Sequence, residues 1–384
     1  MKLSYRCTRS IVFLLSILIL LAFYLGTRFT QIPASHMSIG LSPLMLIVAL
    51  ISWSFLNIRR DEFLIVASVF CLLLLTGVII YTPRGFHISY ASMAASVFIV
   101  VSYFFSRALV ALNVAYFFLA VSFWILAVPV IWMLLLNEHK SVGNFFVGSS
   151  KNVVSSWLII ASVSMAAIRY YNTGKVLCHP IFISFLVSLV LETRSSILVS
   201  LLAFLLLFFL RFGLFYVLSI SMLLSMLGVF FIGFDVSYLD AANIFEKTKF
   251  GSHGLESRRW GMWEGYFREM NLFSFFLGVD LSYIPEIHSY SDNPHSSIFR
   301  FHSMFGVIPL AFLGLGLCFF AFRVNFLYFS MVIFVLMRAS VDTLLFGIFY
   351  DVFLILIIVC AFFNNESILN SGKRLKLSTY NSVA

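Results

Sequence analysis

Three residues could do chemistry in a chain that otherwise avoids charge: Arg194, Arg259 and His295. Trp260, Trp263, Tyr266, Phe267 and Met270 recur at helical spacing, which predicts an amphipathic helix over 256–270 with these side chains on one arc. An interfacial helix accounts for that stripe without any catalytic role. Arg259 also projects into the apolar arc, where a guanidinium needs an anion, and its planar fork suits a carboxylate or a phosphate. Arg258 points to the opposite, polar face near Glu269.

The second place is the turn Glu192-Thr193-Arg194-Ser195-Ser196. Either Arg194 snorkels and pairs with Glu192, or it is a second cation for a diphosphate, helped by the free N–H groups of a helix starting at Ser195 or Ser196. The third is Asp292-Asn293-Pro294-His295-Ser296. Pro294 fixes the backbone ahead of a predicted helix, and an imidazole titrating near neutrality is suited to taking a proton from a hydroxyl. His302 follows on nearly the same helical face. Glu192, Trp263, Tyr266, Arg300 and His302 are candidates for contacting substrate, and Arg258 joins Arg194 and Arg259 as a candidate phosphate ligand. No Walker loop, GxGxxG, paired CxxC, HExxH or exterior DxD occurs, so neither a cofactor nor a metal is expected.

The elements that position these residues are membrane helices. The 384-residue chain is 61% hydrophobic and 11% charged, with 46 Phe. A soluble domain carries about 25% charged residues, so most of this chain faces acyl chains or other membrane helices. A span needs about 20 apolar residues. Twelve candidate runs are found, at roughly 10–29, 39–57, 63–81, 90–106, 111–136, 153–168, 177–192, 196–210, 213–233, 303–322, 325–338 and 343–363. The expectation is an all-α polytopic membrane protein of about twelve spans: nine within 1–233, a polar loop with amphipathic helices over 234–302, three within 303–363, and a tail over 364–384. Connections carrying Arg6, Arg59, Arg107, Arg169, Arg211 and Arg323 are the richer in basic residues, which predicts both termini in the cytoplasm and the long loop, between helices 9 and 10, outside. The first run is long for a signal peptide and lacks a small-residue cleavage site, so it reads as a retained anchor.

Cys7, Cys71, Cys178, Cys318 and Cys360 all fall in spans or on the cytoplasmic side, and no disulfide is expected. The net charge of +9 comes largely from cytoplasmic anchors facing anionic lipid, so the expected partner is the bilayer and not nucleic acid. Asp351, within the last run, is expected to pair with Arg338 or Arg107.

This arrangement resembles the O-antigen polymerase and O-antigen ligase superfamily, the lipid-linked polysaccharide glycosyltransferases that include Wzy-type polymerases. Four places carry the likeness: Gly143-Asn144-Phe145-Phe146 through Asn152; Thr193-Arg194-Ser195; Arg259, followed by Trp263 and then by Leu277-Gly278-Val279; and His295-Ser296, followed by Gly306 after nine residues. Asp280 departs from the second Gly usual in the turn, and Pro309 from a small residue at the end of the signature.

The resemblance implies glycosyl transfer between undecaprenyl-diphosphate-linked oligosaccharides, donor and acceptor, at the periplasmic face of a bacterial inner membrane. Arg194 and Arg259 would bind the two phosphates, and His295 would orient or deprotonate the attacking hydroxyl. Tyr266, Tyr283, Tyr290 and the two tryptophans could stack on sugars. A chain-length regulator is a further implied partner. The favoured reading is a polymerase; the alternatives are a ligase, which moves finished glycan to lipid A core, and, in a different class, a flippase or exporter of the same lipid-linked sugars.

Overall fold

The computed structural model describes residues 4–56, 58–84, 86–136, 141–147, 150–213 and 258–363. Among these the chain is helical, with no strand. The first group comprises α1 (Tyr5–Phe29), α2 (Ala34–Ile51), a single turn α3 (Trp53–Leu56), α4 (Arg60–Arg84), α5 (Phe86–Ala111), α6 (Ala115–Leu135), α7 (Lys151–Thr173), α8 (His179–Val190) and α9 (Arg194–Phe212). The second comprises α10 (Arg258–Arg268), α11 (Leu272–Leu277), α12 (Pro285–His288), α13 (Ser297–Phe305), α14 (Val307–Arg323), α15 (Phe326–Ser340) and α16 (Tyr350–Phe363).

Seven helices are long and apolar enough to cross a membrane, and α8, α14, α15 and α16 are shorter apolar helices. The chain is therefore a polytopic helical membrane protein. Eleven of the twelve predicted runs coincide with these helices; the run at 213–233 beyond Gly213, the loop residues 234–257 and the tail 364–384 lie outside the described residues.

Burial orders the bundle. In α7, 83% of the apolar window is buried, against 11% in α4, so α7 is central and α4 peripheral. Trp157 of α7 donates its indole N–H to Ser122 of α6 (2.9 Å to the carbonyl), and Phe23 of α1 stacks on Phe349 at 4.5 Å. Several serine hydroxyls inside the bundle donate back to their own helix, as Ser38 does to Ala34 (2.6 Å) and Ser164 to Ile160 (2.8 Å), so these cost little in an apolar core.

The helices from α10 to α13 form a cap at one end of this bundle. The buried face of α10 is Arg259, Met262, Trp263 and Tyr266, whereas Trp260 and Phe267 are 61% and 58% exposed. The single arc expected for the stripe is thus split. The cause is Gly265: a Cβ there would lie 2.9 Å from Ile284, and this close approach turns α10 toward α12. Tyr266 and His302, expected to contact substrate, are instead buried against each other. His302 Nε2 bonds the Phe275 carbonyl (2.8 Å), which leaves Nδ1 to accept from the Tyr266 hydroxyl (2.6 Å).

Gly278 (φ +85°) and Gly306 (φ +75°) lock the same joint. A Cβ at Gly278 would collide with the His302 carbonyl oxygen, and one at Gly306 with the Phe276 oxygen. The positive φ alone costs a side chain about 1–2 kcal/mol. Alanine at either position is expected to lower the thermal midpoint of the detergent-purified protein by several degrees. An unchanged midpoint would show that the cap tolerates displacement.

Candidate functional site

The cap exists to hold one loop. Ser291, Asp292 and His295 all take positive φ (56°, 57° and 48°), a conformation that costs a non-glycine residue about 1–3 kcal/mol and persists where surrounding bonds over-determine it. Those bonds are present. Asn293 Oδ1 accepts from the His295 N–H (3.0 Å) and from the Thr343 hydroxyl (2.6 Å). Ser296 N-caps α13. Ser297 donates its hydroxyl to the Asp342 carbonyl (2.9 Å) and accepts from the N–H groups of Leu344 (2.8 Å) and Leu345 (3.1 Å). The loop before α13 is therefore stapled to the connection between α15 and α16.

That staple brings cations around one carboxylate. Arg338, fully buried at the end of α15, donates Nη2 to Asp342 Oδ2 (3.2 Å) and to the Asn152 carbonyl of α7 (3.1 Å). His295 Nδ1 lies 3.8 Å from Asp342 Oδ1, within ion-pair reach but too far for a hydrogen bond. Arg259 reaches in from α10, donating Nη1 to the Val341 carbonyl. Among the described residues, Arg338 Nε and Nη1, His295 Nδ1 and the Trp263 indole N–H are buried without a hydrogen-bond partner. Unsatisfied buried donors cost about 1–3 kcal/mol each, which an anion accepting from them would recover.

Burial acts to raise the Asp342 carboxyl, but the neighbouring His295, Arg338 and Arg259 outweigh it and hold its pKa at about 2, below the ordinary 3.8. Because the folded pKa is the lower, this group stabilises the fold fully above pH 3.8 and loses that contribution as pH falls toward 2. Thermal midpoints measured against pH should show this group's acid branch only in that window, and Asp342→Asn should flatten it. An identical branch in the variant would refute the assignment.

Arg194 heads α9 at the same end of the bundle. Ser196, two residues on, bonds Ser155 (2.8 Å) in the first turn of α7, the turn whose Asn152 carbonyl receives Arg338. Glu192 is exposed at φ +54°. Arg258 opens α10, and its side chain lies outside the described ones. Trp263 packs edge-on to Phe299 at 5.7 Å. Tyr283 is 77% exposed.

Asp351 pairs with neither Arg338 nor Arg107. It accepts from the N–H groups of Phe346 (2.8 Å) and Gly347 (2.7 Å), closing the turn before α16, and Arg300 is the cation nearby. The two arginines have closer partners in Asp342 and, for Arg107, Glu62 (2.6 Å).

A cavity of about 820 Å³ adjoins the cluster. Asn293 and Pro294 line it beside His295, and Thr343 and Tyr350 line it beside Asp342, with Arg300 contributing a cation and Trp157 and Phe146 an aromatic wall. The Gly143–Phe146 segment builds that wall: Arg28 donates to the Phe145 carbonyl (2.8 Å), and Phe146 stacks on Trp157 at 5.7 Å. The volume lies within the roughly 300–1,000 Å³ of small-molecule sites, and mixed aromatic and polar walls suit a saccharide.

Of the candidate residues that the sequence singles out, the structure brings together Arg259 and His295, with Arg300 on the adjoining cavity. Asp342 and Arg338 are not evident as a pair from sequence. The available signal is their spacing of four residues at the end of an apolar run, where neither charge is easily left alone. Compared with known proteins, the chain matches no family model, no curated protein and no solved structure.

Proposed function

We propose that this chain is a metal-independent glycosyltransferase that takes its donor from a polyprenyl diphosphate, and within that class a polymerase of surface polysaccharide. On this reading it has twelve spans with both termini in the cytoplasm, and sits in a bacterial inner membrane with the cap facing the periplasm. The observation that carries the reading is the convergence of Arg259, Arg338 and His295 on Asp342 beside a saccharide-sized cavity.

Two guanidinium groups, Arg259 and Arg338, and the His295 imidazole face one carboxylate, so the cluster retains positive charge for an anion. A diphosphate accepting from Arg259 and Arg338 would be stabilised as the bond from the donor sugar's anomeric carbon to the phosphate oxygen breaks and negative charge grows on the leaving group. The acceptor sugar's hydroxyl oxygen forms the new bond to that carbon. Its proton passes to His295, and ionised Asp342 stabilises the imidazolium, the division of labour of an aspartate–histidine pair. Polyprenyl diphosphate leaves, and Arg194 is the further cation at this end for its second phosphate.

A gel of surface polysaccharide from a strain lacking the chain tests this reading. A single repeat on lipid A core is the expected result. Bare core with accumulating lipid-linked polymer would make it a ligase, loss of exterior lipid-linked repeats a flippase, and an unchanged ladder would remove it from the pathway.

A further inference from the structure

A second cavity, of about 500 Å³, lies at the far end of the bundle, between α4, α5 and α16. Helix α16 fixes the separation: Tyr350, at its start, lines the first cavity, and Phe363, at its end, lines the second. The walls are aliphatic, with Ile65 and Val66 of α4, Ile99 of α5 and Ile355 and Val359 of α16. Because α4 buries only 11% of its apolar window, this groove stands at the lipid-facing periphery.

Its polar end is a built site. Arg107, 2% exposed, donates Nε and Nη2 to Glu62 (2.6 and 3.0 Å) and Nη2 to the Leu56 carbonyl (3.1 Å), and its guanidinium lies 4.0 Å over the Phe363 ring. Tyr103 donates its hydroxyl to the same carboxylate. With its charge met on several sides, the buried pair is stable as a floor. At the rim stands an exposed pair, Arg59 with Asp61 at 3.5 Å. Two cations and two carboxylates thus meet one end of an apolar groove, a balanced dipole rather than a field of one sign.

We propose that this groove is a binding site for a zwitterionic phospholipid of the phosphatidylethanolamine kind, on the leaflet opposite the glycosyl-transfer cluster. Its phosphate meets Arg59, its ammonium meets Asp61 and the edge of Glu62, and one acyl chain lies along Ile65, Val66 and Val359. A purely anionic headgroup would face the same two carboxylates with no cation to offer them, so charge complementarity selects the zwitterion. The site is separate from the proposed catalytic function.

Native mass spectrometry of the full chain in detergent, titrated with phosphatidylethanolamine or phosphatidylglycerol, provides the test. The wild type should retain phosphatidylethanolamine about tenfold better, and gain thermal stability from it alone. Val66→Trp, which fills the groove, should abolish retention and the thermal gain while leaving glycan synthesis intact. Asp61→Arg, at an exposed position, should shift the preference toward phosphatidylglycerol. Equal retention of both lipids, or retention indifferent to Val66→Trp and Asp61→Arg, would mean ordinary annular lipid and overturn the proposal.

Discussion

Arg259→Ala should lower glycan chain extension about 10²–10³-fold, the usual cost of removing one preorganised donor from a developing oxyanion. The protein should still insert and accumulate, because Arg259 reaches in from the cap, where it donates to the Val341 carbonyl between α15 and α16, and the apolar helices of the bundle do not depend on it. Arg259→Lys should recover only part of the loss, since an ammonium keeps the charge but not the bidentate fork. Extension by purified variants from a lipid-linked repeat, normalised to protein, checks this. Activity within a few-fold of wild type in Arg259→Ala would take the residue out of the site.

The second large effect separates stability from catalysis. Arg338→Met leaves Asp342, which is 6% exposed, without its closest cation. Breaking a buried pair in this way costs about 3–5 kcal/mol, whereas replacing both partners by apolar groups is often neutral or stabilising. The single variant should therefore unfold at a markedly lower temperature, and the double variant Arg338→Met/Asp342→Leu should recover much of that loss. Chain extension should remain absent in both. If the double variant recovered activity along with stability, the pair would be scaffolding and the anion would bind elsewhere.

How much of this was legible in the sequence follows from the reach of each physical signal. Apolar run length is local, so eleven of the runs coincide with helices of the described chain. The Asp292–Ser296 motif was legible as a fixed turn because Pro294 and the helix-capping Ser296 act within a few residues. The Arg259 side was legible from helical period, although the exposure of Trp260 and Phe267 was not, because Gly265 takes its meaning only from α12 packing against it.

Charge pairing was the least legible. A charge in an apolar run demands a partner, which for Asp351 suggests an arginine, yet three backbone N–H groups from its own turn serve it instead. Arg338 is then free for Asp342, a contact that also depends on Asn152, 186 residues away, presenting its carbonyl. Tyr266 and His302 illustrate the same limit. Their types suggest sugar contact, and only the fold shows both groups occupied in holding α10, α11 and α13 together.

The central claim is that the Arg259, Arg338 and His295 cluster is where a polyprenyl diphosphate departs from a sugar. Its most direct measurement counts polyprenyl diphosphate freed by the reconstituted protein against glycosidic bonds formed, in the wild type and in His295→Ala. The account predicts one freed carrier for each bond in the wild type and neither product from the variant. Bond formation without carrier release, or undiminished release from His295→Ala, would contradict it.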